Sequence, residues 1–199
     1  ADTIAFLDAD DVWSPDYLSA AITGLEANPE VASVTAGYRE MPGGASTEPM
    51  WLRRDLRPGL FALAPDTPPP LAATVLAYMS PCSTVFRADL LRRHGGFYAE
   101  DRCLYGEDAH LCLKLLLNHP VLLDLEPRVM IHRDDSGLSA NLPAARPVEP
   151  FLLNAEEIRL ACPPALAPLL ERLLALRAFK TACMLGYWGE WRRARELRR

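Results

Sequence analysis

Apolar and polar positions along this chain follow mixed rhythms as far as residue 150 and only a helical one after it. Ile4 to Leu7 is an unbroken apolar tetrad, the pattern of a strand buried on both faces, and it ends abruptly in Asp8, Asp10 and Asp11. Ser14-Pro15 is a helix start. Leu18, Ala21, Ile22 and Leu25 then recur at helical spacing, and Asn28-Pro29 stops the helix. Val31 to Tyr38 alternates as a strand. From Glu40 to about Pro70 there is no period, only proline, glycine, Trp51 and the basic cluster Arg53, Arg54 and Arg57. A loop that long reads as a lid or a disordered segment. Residues 71–79 predict a short helix, Ser83 to Phe86 a strand, and Ala88 to Arg93 a helix closed by Gly95-Gly96. The helix opening at Glu107-Asp108 and running to Asn118 is apolar nearly all round, so it should be buried. Val121 to Leu125 and Val129 to His132 read as strands, and Arg133 to Pro150, polar and proline-bearing, as a hinge or flap.

Beyond Pro150 Leu166, Leu169, Leu170, Leu173 and Leu174 form one apolar stripe, and Phe179 to Trp191 begins another. The pattern predicts an α/β part over residues 1–149 and a helical appendage over 150–199. The tail carries Arg192, Arg193, Arg195, Arg198 and Arg199, read either as a solvated helix face or as a peripheral contact with anionic lipid.

At 199 residues, half of them hydrophobic, the chain can bury a sizeable core. A net charge of −5 gives no support to nucleic-acid binding. The five cysteines form no CxxC pair and no metal-ligand spacing, which points to reduced thiols and a cytoplasmic protein, with the inner face of the membrane as the place a basic tail would meet lipid. No apolar stretch reaches membrane-spanning length. A chemistry-bearing strand within three residues of Ala1, with no strand before it to pair with, predicts a fragment whose N-terminal part is missing.

The acids carry the chemistry. Alternation along an extended chain would point Asp8 and Asp10 the same way, and two converging carboxylates repel unless a cation lies between them. Hard oxygen ligands favour Mg²⁺ or Mn²⁺. Glu107-Asp108 sits at a helix start, where exposed amides stabilise the anion that a general base must be; simple capping is the bland reading, and Glu100-Asp101 competes for the role. His132, at the end of a strand, can complete a metal shell, and Arg133 beside it can pair with phosphate oxygens.

The segment Phe6-Leu7-Asp8-Ala9-Asp10-Asp11-Val12-Trp13-Ser14-Pro15 resembles the DxD stretch of family 2 glycosyltransferases of the GT-A fold. In the same order follow Phe86-Arg87, Leu90-Leu91, Gly95-Gly96-Phe97 and Glu107-Asp108 with Leu111, Leu113 and Leu115, and then His132 through Ser139, similar to the family's closing loop. The resemblance implies a partial GT-A fold that lacks the N-terminal βαβ region holding the nucleotide base. It implies metal-dependent, inverting transfer of a sugar from a nucleotide-diphosphate donor to a hydroxyl of a glycan or lipid-linked acceptor. Asp10 would hold the metal with Asp8 and His132, and Asp8, Asp10, His132 and Arg133 would face the donor. Asp108 or Glu107 would be the base. Gly95, Gly96, Phe97 and Trp13 would shape the acceptor side. Without its base-binding half this polypeptide is expected to bind donor weakly or not at all. The chain departs from the family pattern at Ala109-His110 and Tyr98-Ala99, where acids or aromatic-acid pairs are usual.

Two other readings compete. Leu7-Asp8-Ala9-Asp10-Asp11-Val12 also fits the DxDx[TV] signature of haloacid-dehalogenase-like phosphatases, with Asp8 as nucleophile. Those enzymes need a lysine before the later acidic pair, whereas Lys114 and Lys180 both follow Glu107-Asp108. A non-catalytic helical interaction or membrane-docking module is the alternative outside enzymology.

Overall fold

A computed structural model describes residues 1–103, 105–132 and 144–197. In chain order these form β1 (Thr3–Ala5), β2 (Val12–Trp13), α1 (Tyr17–Ala27), β3 (Ser33–Met41), β4 (Ala45–Ser46), α2 (Glu48–Arg53), β5 (Gly59–Phe61), α3 (Pro69–Tyr78), β6 (Thr84–Arg87), α4 (Ala88–Arg93), α5 (Glu107–Asn118), β7 (Val121–His132), α6 (Pro150–Leu153), α7 (Ala155–Ala161), α8 (Ala167–Tyr187) and α9 (Trp191–Glu196). The result is a mixed α/β protein built on one curled sheet of order β1-β6-β3-β7-β2, with β4 added to β3 and β5 to β7. Among the described residues β3 and β7 pair parallel and the other pairs are antiparallel.

The first strand differs from its expected place. β1 is the last strand on its side of the sheet and pairs antiparallel with β6, so it is not a central parallel strand. Ile4 to Phe6 are half-buried and Leu7 is 50% exposed, because the strand ends at Ala5 and the chain then turns. In α1 the buried stripe is Tyr17, Ala21 and Leu25, while Leu18 and Ile22 face out. Tyr17, beside the Trp13 ring at 5.1 Å, takes the core position that spacing alone assigned to its neighbour.

The stretch from Glu40 to Pro70 is neither lid nor disordered. It contributes β4, α2 and β5, and Trp51 on α2 is 3% exposed, packed edge-on between Tyr38 and Tyr78. The two strands expected at Val121 and Val129 are one, β7, which runs through Pro127 with a register shift against β3 at Gly37. A Cβ on Gly37 would lie 2.2 Å from the Leu125 carbonyl oxygen, so glycine alone permits the two backbones to approach there.

α4 and α5 match their expected bounds, and α5 is buried from His110 to Leu117. After Pro150 the described residues are helical or irregular, as the periodicity predicts. Phe151, Ile158, Leu166, Leu169 and Leu173 join the same apolar core as Leu111 and Leu115 of α5, so the helices close over the sheet domain's centre. Buried Lys114 of α5 pairs with Glu157 of α7 and donates to the His94 carbonyl at 3.2 Å.

Where α4 meets the end of α5, the Nε2 atoms of His94 and His119 are 3.0 Å apart. Burial holds both imidazoles below the usual histidine range, helped at His94 by His119, Lys114 and Arg93 and at His119 by Arg93 against Asp89. A histidine with a lowered folded pKa binds protons more readily when unfolded, so stability is present above about pH 6.5 and lost as pH falls below it. Urea unfolding is therefore expected to show lower stability near pH 5.5 than at neutral pH. His119→Gln should flatten that slope; an unchanged slope would show that the pair does not titrate.

Candidate active-site cleft

Four groups of polar residues meet in an open cleft of about 450 Å³, whose lining also includes Tyr38, the end of α3 and the end of β7. The first is the turn at residues 8–11, closed by the Asp11 N–H donating to the Asp8 carbonyl at 3.1 Å. That turn overrides the alternation argument. In an extended chain Asp8 would share a side with Asp10; in a four-residue turn it meets Asp11. Asp11 is buried, and its Oδ1 accepts the His132 backbone N–H at 3.0 Å, which moors the turn to the end of β7 next to the β2–β7 pairing.

The second stretch is Ser80 to Cys82. Trp13 Nε1 donates to the Cys82 carbonyl at 2.7 Å, and Cys82 Sγ lies 3.3 Å from Ser80 Oγ. Ligand atoms of Asp8, Asp11 and Cys82 all lie within 4.8 Å of one another. The third stretch is the start of α5, entered through Gly106 at φ +74°, which brings Glu107 and Asp108 to the cleft wall. Asp108 Oδ1 accepts the Ala109 N–H at 2.7 Å. The fourth comprises Arg146, Glu149 and, from α8, Arg177. Glu149 is held by Arg177 at 2.5 Å and Thr181 at 3.0 Å, while Arg146 lies over the Tyr105 ring.

Electrostatics mark the acids as a unit. Burial raises the Asp8 carboxyl above its ordinary value, and Asp11, Asp10 and Asp108 raise it further. Burial raises Glu107 as well, with Asp108 and Asp8 adding to the effect. At Asp108 burial outweighs the helix-start N–H groups that favour the anion. The Cys82 thiol is pushed up to about 12, chiefly by burial, so it is a neutral S–H beside Asp11 at pH 7. A carboxyl raised by its acidic neighbours, with an Asp11 oxygen close beside it, suits a hard divalent cation bound through Asp8 and Asp11 oxygens. The residues present therefore fit Mg²⁺ or Mn²⁺.

The expected site residues divide clearly. Asp8, Asp10, Glu107, Asp108 and His132 line the one cleft. Asp10 and His132 are not in the converging trio, which has Asp11 and Cys82 in their place. Gly95, Gly96, Phe97 and Trp13 do not line it. Gly95 and Gly96 take φ +86° and +72° to end α4, Phe97 packs 4.8 Å from the Phe6 ring, and Trp13 supports Cys82 from behind. The glycine loop still neighbours the site, because the Tyr98 N–H donates to the Glu107 carbonyl at 3.2 Å. Glu100 accepts the Tyr98 hydroxyl at 2.9 Å and lies outside the cleft lining. Arg133 and the rest of the loop to Ser139 lie outside the described residues. Neither lysine lines the cleft.

Sequence reasoning missed Cys82, Arg146, Glu149 and Arg177. Cys82 carries no motif spacing, and the last three come from segments read as flap and appendage; nothing local in the sequence signals them. No protein-family model matches this chain, and comparison with curated proteins finds no similar sequence. Among the described residues no helix is long and apolar enough to cross a membrane.

Proposed function

We propose that the cleft is the metal and acceptor side of an inverting glycosyltransferase, and that the chain is part of a GT-A fold acting on a nucleotide-diphosphate sugar and a glycan or lipid-linked hydroxyl acceptor. One observation carries the reading: acids about a hundred residues apart in sequence, Asp8 to Asp11 and Glu107-Asp108, share one cleft closely enough for Asp108 to raise the Asp8 carboxyl. Asp8 and Asp11 would hold Mg²⁺ or Mn²⁺, with Asp10 and His132 beside them. The bound cation would offset charge on the departing diphosphate.

This chain's own residues supply the rest. Asp108 is the better base of the two: it is the more buried and needs no third acid to raise it, and Glu107 flanks it. A raised carboxyl is a stronger base for the acceptor hydroxyl. The acid-rich wall repels a bare diphosphate, which makes donor binding depend on the cation. Arg146, over the Tyr105 ring beside the entry to α5, lines the same cleft and would meet an anionic group there.

Mn²⁺ titration by calorimetry tests the cation site. Binding is expected in the parent and a loss of at least tenfold in Asp8→Asn, since that variant removes one of two charged ligands. No heat of binding, or equal affinity in Asp8→Asn, would remove the reading. Nucleoside-diphosphate release from a panel of nucleotide sugars, measured on the gene's complete product with and without Mn²⁺, tests the reaction class.

A further inference from the structure

The last 28 residues, 172–199, hold eight basic side chains against two acidic ones, a net charge of +6. Residues 1–171 hold 13 basic against 24 acidic, a net charge of −11. One end of the chain is thus basic on an otherwise acidic molecule. The exposed aromatic residues gather on that same end. Phe179, Cys183 and Tyr187 sit at i, i+4 and i+8 of α8, forming one outward stripe, with Phe179 64% and Tyr187 86% exposed. Trp188 at the end of α8 is 42% exposed, and Trp191 at the start of α9 is 64% exposed.

Between α8 and α9, Phe179, Cys183, Tyr187 and Trp191 border a groove of about 610 Å³ with an almost wholly apolar lining. Gly186 makes the groove possible: the Trp191 ring lies 3.1 Å from where a Cβ would stand, so it can lean against α8. Arg195, one turn beyond Trp191 on the same face of α9, stands at the groove. The Arg192 side chain is 94% exposed, and its contact with Glu196 at 3.3 Å is a surface pair that water or a better anion can replace.

We propose that the α8–α9 end is a docking surface for an anionic lipid bilayer. Tryptophan and tyrosine combine an apolar body with a polar tip and settle at the boundary between headgroups and acyl chains. Arginines alongside them meet lipid phosphates. A pure polyanion site would gain nothing from Phe179 or Tyr187, and a purely apolar protein interface would gain nothing from the basic excess. The acidic remainder of the chain is repelled by the same surface, so docking is confined to this end. The inference stands apart from the cleft and does not require its chemistry.

The test is sedimentation of the chain with phosphatidylcholine vesicles, with and without phosphatidylglycerol, at low and high salt. Binding is expected only with phosphatidylglycerol and should weaken with salt. The Arg192→Glu, Arg195→Glu double variant should lower partitioning at least ~10-fold, since it reverses two charges that meet lipid phosphate. The Tyr187→Ala, Trp191→Ala double variant should lower it comparably, and thermal melting should show both variants folded, because these side chains are exposed. Equal binding to neutral vesicles, or no binding to anionic ones, overturns the proposal. Binding that responds to the arginines but not the aromatic residues would make the surface a polyanion site. Vesicle-independent dimers lost in the aromatic variant would make it an interface between copies of the chain.

Discussion

Gly37→Ala is expected to destabilise the fold by about 3 kcal/mol, the upper end for overpacking, because the added methyl meets main chain rather than a movable side chain. Its Cβ would fall 2.2 Å from the Leu125 oxygen, 2.8 Å from the Leu125 carbonyl carbon and 2.9 Å from the Glu126 oxygen. Relief requires the sheet to part at the register shift between β3 and β7, a parallel pair in the middle of the strand order. The far end of β7 holds Asp11 through the His132 N–H, so the same displacement should also weaken cation binding. Equilibrium urea unfolding measures the first effect and Mn²⁺ titration the second. Gly43→Ala is the control: nothing lies within 4 Å of its added Cβ, and its effect should stay within about 0.5 kcal/mol. If the two alanine variants unfolded at the same urea concentration, the close approach of β3 and β7 would be wrong.

Punctuation was the most legible part of the sequence. Gly95-Gly96 marked the end of α4 because both residues adopt a left-handed backbone, and the acids of Glu107-Asp108 marked the start of α5. The all-round apolar pattern of α5 translated directly into burial, since that helix packs against α3, α6 and α7. Periodicity misled where a short turn or a long-range contact decided the conformation. Asp8 and Asp10 were paired by the geometry of an extended strand, and a single N–H···O contact from Asp11 to Asp8 re-aims them. The stretch around Trp51 lacks a period because α2 is only six residues long and is held by two aromatic rings from β3 and α3. Val121 to Leu125 and Val129 to His132 read as two strands, yet β7 runs through Pro127 beside the Gly37 irregularity. At the site, the residues that belong to one motif were legible, and those delivered by distant elements, Cys82 and Arg177 above all, were not.

Asp108→Asn is expected to lower turnover by about 10²–10⁴-fold with little change in substrate affinity, the range for loss of a positioned general base. The amide keeps an oxygen that can accept the Ala109 N–H, now 2.7 Å from Asp108 Oδ1, so the start of α5 should be preserved. The linkage is distinctive. A carboxyl whose folded pKa is raised binds its proton more tightly in the folded state, so it adds stability as pH falls and withdraws it as pH rises. Ionised, Asp108 is therefore a destabilising charge, and the uncharged asparagine should leave stability unchanged or slightly higher while activity collapses. In the parent the rate should fall on the acidic side as Asp108 takes up its proton, and the residual rate of the variant should lack that limb. Glu107→Gln separates the two acids: it should cost less, because Glu107 is the less buried and its raised pKa depends in part on Asp108. Nucleoside-diphosphate release measured across pH on the gene's complete product, for the parent and both variants, reads all of this at once. A variant at Asp108 that retained the parent rate, or one that melted well below it, would transfer the base role away from this residue and leave it a helix cap.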